Sequence, residues 1–155
     1  MVDVLKKLLY SLGLVSLAAP VGMAMAADEK TPAQLAAAID SVWVMLAAIL
    51  VIFMQAGFAL LEAGSTRMKN AGHVAGKTIL TFGLCAIAFW AVGFGLAFGD
   101  GNSFIGTGGF FLDGTVEQVK ASFGLFAESP IPIGILFLFQ LAFAGVSLAI
   151  AWGGF

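Results

Sequence analysis

Three residues near the end of the sequence have the types and spacing for chemistry: Phe139, Gln140 and Phe143. Phenylalanines four apart share one helix face. Gln140 sits about 100° round from Phe139 at 3.6 residues per turn. Two rings along one face could attract a small cation by cation–π interaction, or plug a pore. The same pair is also ordinary helix packing, and the residues alone leave both readings open. Few other groups compete. His73 stands near Arg67 and Lys69, with no second His, Cys or carboxylate at metal-ligand spacing, and reads as an interfacial histidine. Cys85 is the one cysteine; it lies in an apolar run and reads as a small packing residue. Gly106-Thr107-Gly108-Gly109 has the glycine content of a phosphate loop. It follows no parallel strand and precedes no Lys-Ser/Thr pair, so it reads as a covering loop. No nucleophile–base pair or metal cluster is visible, so neither an enzyme nor a cofactor is expected.

The elements that must position these residues follow from composition. The chain has 155 residues, 61% hydrophobic and 10% charged, with a mean hydropathy of +1.04. A soluble domain is roughly 45–50% apolar and about 25% charged. A bilayer is therefore the expected surrounding, and the fold class is an all-α transmembrane bundle. The net charge of −2 shows no basic patch, so nucleic acid is not an expected partner.

Lys6 and Lys7, the apolar run Leu8 to Ala19, the Pro20 and Gly22 breakers and Ala24-Met25-Ala26 read as a signal peptide over residues 1–26. Thr31-Pro32-Ala33-Gln34 is a helix-start signal with the parts of a capping box. An amphipathic stretch to Ile39 either precedes the membrane or extends its first helix. Three uncharged runs follow, Ser41–Leu61, Thr78–Phe98 and Ile131–Phe155. Each has the roughly 20 residues that span a hydrocarbon core.

Arg67, Lys69 and Lys77 are assigned to the first loop, and Lys120 is the one basic residue of the second. Lys and Arg favour the cytoplasmic side. The first loop is then cytoplasmic and the mature N-terminus outside, where a cleaved signal peptide would leave it. The outer loop runs from Gly99 to Pro130, with a short surface helix expected over Val116–Phe126.

Small residues four apart, at Gly145, Ala149 and Gly153, at Ala91, Gly95 and Gly99, and at Gly72 and Gly76, predict close helix approach. Gln55, Thr81, Gln140 and Ser147 are the polar residues within the spans, with Glu62 at the cytoplasmic edge. Such groups face a bundle interior and find partners there. Three helices cannot satisfy all these faces alone, so further helices or subunits are expected.

Longer patterns now add a resemblance. Met54-Gln55-Ala56-Gly57-Phe58-Ala59-Leu60-Leu61-Glu62-Ala63-Gly64, followed by Arg67, Lys69 and Asn70, resembles the first helix and inner loop of the ammonium transporter (Amt/Mep/Rh) family. Gly93-Phe94-Gly95-Leu96-Ala97-Phe98-Gly99-Asp100-Gly101 resembles the end of its second helix, and Phe139-Gln140-x-x-Phe143 its third. The resemblance covers about Ile39 to Phe155. It implies an eleven-helix bundle of two inverted halves in a homotrimer of the inner membrane, with ammonium, ammonia and methylammonium as cargo. A PII-type signalling protein is implied as a cytoplasmic partner of the full-length form. Phe139 would match the aromatic of the outer recruitment site and Phe143 one ring of the gate below it. Gln140, Gly57, Glu62, Gly64 and Asn70 would be structural.

The family's acidic residue of the fourth helix, the partner gate ring and the twin pore histidines would all lie beyond Phe155. His73 is not one of those histidines. The expectation is an N-terminal portion, residues 27–155, of a longer transporter. Two other readings stay open: a non-transporting packing segment, and the membrane part of an ammonium sensor. Magnitudes shape the implied mechanism. Burying a bare cation costs tens of kcal/mol, whereas a cation–π contact returns about 0.5–2 kcal/mol. Deprotonating an amine with the pKa of lysine costs roughly 4–5 kcal/mol at neutral pH, and ammonium is more acidic. Recruitment as NH4+ followed by proton loss is the cheaper route.

Overall fold

The computed structural model describes residues Lys30 to Gly154. The expected signal peptide lies outside the described residues. Contacts divide the chain into two units, residues 1–36 and 37–155. In the first, the Thr31 N–H donates to Gln34 Oε1 at 3.0 Å and the Gln34 N–H to Thr31 Oγ1 at 3.3 Å. This reciprocal pair is the capping box that the sequence spells.

Helix α1 runs over Pro32–Ser65 without interruption. The stretch to Ile39 therefore extends the first helix. A single 3-10 turn, Met68–Asn70, leads into α2, Ala71–Ala88. The link between spans is thus shorter than the sequence reading placed it. Lys69 sits in the turn and Lys77 inside α2 rather than in a loop. Neither Gly nor Pro stands between Asn70 and Lys77 except Gly72 and Gly76, and helix hydrogen bonding continues through both.

A π-turn, Phe89–Gly93, interrupts the second span, and α3, Phe94–Phe98, finishes it. A side chain on Gly93 would strike the Phe89 ring, its Cβ falling 2.7 Å from Phe89 Cδ2. The short helix α4 spans Val116–Ala121, where the sequence suggested one reaching Phe126. It stops at Ser122, and Gly124–Phe126 forms a separate 3-10 turn. Thr115 and Gln118 cap α4 with a second capping box. The third span is α5, Ile133–Gly153, opened by Pro132. The spans Pro32–Ser65, Met68–Phe98 and Ile133–Gly153 are each long and apolar enough to cross a membrane. Among the described residues no strand forms; one isolated bridge joins Gly101 to Gly106.

The core sits at one end of the bundle, where the loop 99–130 folds onto α3 and α5. Phe94 and Phe123 are fully buried there, with Val119 and Ile133. The Phe94 ring lies 4.7 Å from Phe123 and 5.3 Å from both Phe98 and Phe137. Such ring pairs add about 0.5–1.5 kcal/mol each beyond area burial. The aromatic richness of this sequence thus supplies a water-excluding core to a loop that hydrogen bonds alone would hold weakly.

The expected small-residue face at Ala91, Gly95 and Gly99 has a different use from helix packing. The glycine loop occupies it. A Cβ on Gly95 would lie 2.8 Å from the Gly108 carbonyl oxygen, and one on Gly99 would meet the same atom. The Gly106 N–H donates to the Leu96 carbonyl at 2.9 Å, and the Thr107 N–H to Asp100 O at 3.0 Å. A glycine stripe lets a loop backbone approach as readily as a helix, because it exposes main-chain oxygens to any donor. A Cβ on Gly106 would meet the Gly95 carbonyl and lie 2.6 Å from that of Gly99. Both obstacles are backbone, so neither can rotate aside. Gly106→Ala in the whole protein is expected to cost about 1–3 kcal/mol as an overpacking substitution. A lowered melting midpoint with faster proteolysis of the loop 99–130 would show it; an unchanged loop cleavage rate would contradict it.

Candidate functional site

Helix α5 carries the sequence-selected aromatics. Its residues from Ile133 to Gly153 are apolar apart from Gln140 and Ser147, so helix formation satisfies the backbone within the segment, as a bilayer requires. One face is buried through Leu141, Ala142, Gly145, Val146 and Ala149. Phe143 is exposed beside that face, and Phe139, three residues before the buried Ala142, is half-buried at its edge. Their centroids are 5.1 Å apart and their planes are inclined at 65°, an edge-to-face pair. Phe143 keeps 44% of its surface exposed. The Ser147 hydroxyl donates to the Phe143 carbonyl at 3.0 Å, so this polar group is satisfied within its own helix. Gln140 is half-buried beside the rings. The two rings therefore form one preset edge-to-face pair, with Phe143 as its exposed side.

The other selected residues gather at the opposite end of the spans. Glu62 near the end of α1 pairs with Lys77 of α2, Oε2 to Nζ at 3.0 Å. The Lys77 ammonium also donates to the Trp152 carbonyl of α5 at 3.4 Å. Trp152 lies at the C-terminal end of its helix, where the dipole favours a cation. One lysine thus ties three spans together. Gly153 admits the carboxylate: a Cβ there would lie 3.0 Å from Glu62 Oε1. Sequence reasoning placed Glu62 at this edge but put Lys77 in a loop and Gly153 in a helix-packing stripe, and so missed that the three meet. The available signal was two opposite charges at the same end of antiparallel spans joined by a short link.

Asn70 closes the 3-10 turn and is exposed; its side chain makes no capping bond to α2. With His73, Ser65 and Thr66 it lines a groove of about 690 Å³ beside the Glu62–Lys77 pair. Among the described residues, nothing lies within 4 Å of where a Cβ would stand on Gly57, Gly64, Gly72 or Gly76. The close approaches on α5 are at Gly145, where a Cβ would lie 2.5 Å from the Phe82 ring, and at Gly153. No group of three or more His, Cys, Asp or Glu side chains able to hold a metal ion occurs among the described residues.

Two spans are pinned by a charge pair, and a third carries an edge-to-face pair of rings. A model of the Ammonium Transporter Family matches residues 42–155. The chain belongs to that family. Relatives agree with the match. Over 116 residues, 74% of the chain, it is 40% identical to Ammonium transporter Amt2 of Archaeoglobus fulgidus. Over 75 residues it is 48% identical to Ammonium transporter 3 of Dictyostelium discoideum, covering 47% of the chain. The aligned part makes up 22% of the first relative and 17% of the second. The chain thus spans about a fifth of the length of these ammonium transporters. Family membership also accounts for the broad exposed apolar surface of α1, including Trp43, Phe53 and Leu60. In a multi-pass membrane protein that surface meets lipid or neighbouring helices.

Proposed function

We propose that this segment works within an ammonium-conducting membrane protein, supplying part of the outer vestibule and one ring of the gate. The observation that carries the reading is the edge-to-face Phe139–Phe143 pair on α5, with Phe143 exposed, in a chain of this family. Phe139 serves recruitment: its π-face attracts NH4+ at a contribution of about 0.5–2 kcal/mol. Phe143, one turn further along, bars hydrated ions. Ammonium surrenders its proton before the dry stretch, because no cation–π contact offsets full desolvation. Methylammonium carries the same charge with one added methyl and travels the same path.

The assembled form is read as a homotrimer in the cytoplasmic membrane, with the mature N-terminus outside after removal of residues 1–26. A PII-type protein would dock on the cytoplasmic side. The positive residues Arg67, Lys69 and Lys77 at the α1–α2 end support this orientation. Gln140, Gly57, Gly64 and Asn70 are assigned structural roles, and Glu62 the role of anchoring Lys77. The activity read here is transport.

The test is uptake of labelled methylammonium by transporter-deficient cells expressing the whole protein, with ammonium as competitor. Competed uptake above the background of empty cells is expected. Phe139→Leu keeps the bulk and removes the π-face. Loss of about 0.5–2 kcal/mol of binding should raise the half-saturating concentration roughly 2- to 30-fold at the conversion of 1.36 kcal/mol per decade. The maximal rate should change less. An unaltered half-saturating concentration would remove Phe139 from the recruitment role.

A further inference from the structure

On α5, Phe143 and Ser147 are both exposed, while Val146 and Ala149 beside them are buried. Four residues along a helix move a side chain about 6 Å up the axis and only about 40° round it. Ser147 therefore follows Phe143 on one strip of the helix, on the side away from Phe139. A polar group within a span is uncommon, and such groups often mark a substrate path. The Ser147 hydroxyl proton is already used, since it goes to the Phe143 carbonyl at 3.0 Å. A serine hydroxyl has one proton to donate and lone pairs that accept. With the proton held by its own helix, Ser147 offers acceptor capacity alone. The same bond keeps the oxygen against the turn that carries the Phe143 ring.

We propose that Ser147 Oγ is a hydrogen-bond-accepting subsite for a small amine that has passed Phe143. The inference rests on the reading of Phe143 as a gate ring and adds the next contact along the same helix. An amine entering a dry stretch gives up its hydrogen bonds to water, and a polar group left unmatched there is costly. Ammonia and methylamine both carry N–H groups, and the Ser147 oxygen accepts from one of them. The subsite sorts its ligands by chemistry. It serves species that donate, because the serine proton stays on the Phe143 carbonyl. It does little for an alkali cation, whose hydration shell takes a ring of oxygens to replace. Bulk exclusion at Phe143 and acceptance at Ser147 are thus separate filters, one by size and one by hydrogen bonding.

The test is uptake of labelled methylammonium by transporter-deficient cells expressing the whole protein, scaled to the amount of protein in the membrane. Ser147→Ala removes the acceptor. Its maximal rate should fall about 2- to 10-fold, the effect of one net hydrogen bond. The half-saturating concentration, set at Phe139, should move little, and alkali-cation uptake should stay at the parent's level. Ser147→Thr and Ser147→Val share one shape and differ in the oxygen, so the threonine variant should be the faster by a similar factor. Equal rates for those two would overturn the subsite. So would a rise of alkali-cation uptake in Ser147→Ala, which would make Ser147 a positioning residue for the Phe143 ring. Phe143→Ala tells this failure from that of the gate reading. If it admits alkali cations while threonine and valine are equal, the gate stands and the subsite alone is refuted. If it changes neither transport nor selectivity, the gate reading fails and the subsite with it.

Discussion

Lys77→Ala in the whole protein is expected to lower stability by about 2–3 kcal/mol, more than any surface charge deletion. Exposed ion pairs contribute about 0–1 kcal/mol, whereas removing one partner of a buried pair costs about 3–5 kcal/mol. The Glu62 and Lys77 side chains keep 17% and 19% of their surface exposed, so the cost falls between these limits. The asymmetry of the cost identifies its cause. Lys77→Ala leaves a carboxylate in an apolar setting and also removes the hydrogen bond from the ammonium to the Trp152 carbonyl. Glu62→Gln combined with Lys77→Met removes both charges and keeps similar volumes, so it should be milder than Lys77→Ala alone. Melting midpoints of the purified variants in one detergent would decide this. A double variant less stable than Lys77→Ala would show that attraction, not relief of an unpaired charge, dominates the pair.

Phe143→Ala is expected to have the largest effect on selectivity. The gate reading assigns this ring to exclusion rather than attraction. Truncating it removes most of the side-chain volume at one point of the path and leaves Phe139 without its edge-to-face partner, worth about 0.5–1.5 kcal/mol. The uptake ratio of methylammonium to a hydrated alkali cation should fall about tenfold or more, since 1.36 kcal/mol off a barrier is one decade in rate. Phe143→Tyr keeps the ring and should retain more of the ratio. If alanine leaves both transport and selectivity unchanged, Phe143 is a packing residue and the gate lies elsewhere. Comparison with Phe139→Leu separates the two roles, because that change should move the half-saturating concentration and spare the ratio.

How much of this was legible in the sequence differs by element. The capping box at Thr31 and Gln34 is local chemistry: two side chains three residues apart satisfy two free backbone donors. The spans are equally legible, because an uncharged run of about 20 residues has few alternatives in or out of a bilayer. The Phe139–Phe143 pair follows from spacing alone, since the α-helix fixes which side chains share a face. Boundaries were less legible. Lys77 looks like a loop residue in a linear reading, but its ammonium has a carboxylate and a carbonyl within reach, and the helix continues through it.

The sequence by itself determined the solvent, the number of apolar spans and the ring pair on α5, because these depend on composition and local periodicity. Only the tertiary structure decided what the small and polar residues do. Gly95 and Gly99 receive a loop backbone instead of a helix, Gly153 makes room for Glu62, and the Gln55 amide nitrogen is buried among the spans. A glycine records that something comes close without recording what, and a polar side chain records that a partner is needed without naming it. Those identities depend on residues distant in the chain, and folding alone brings them together.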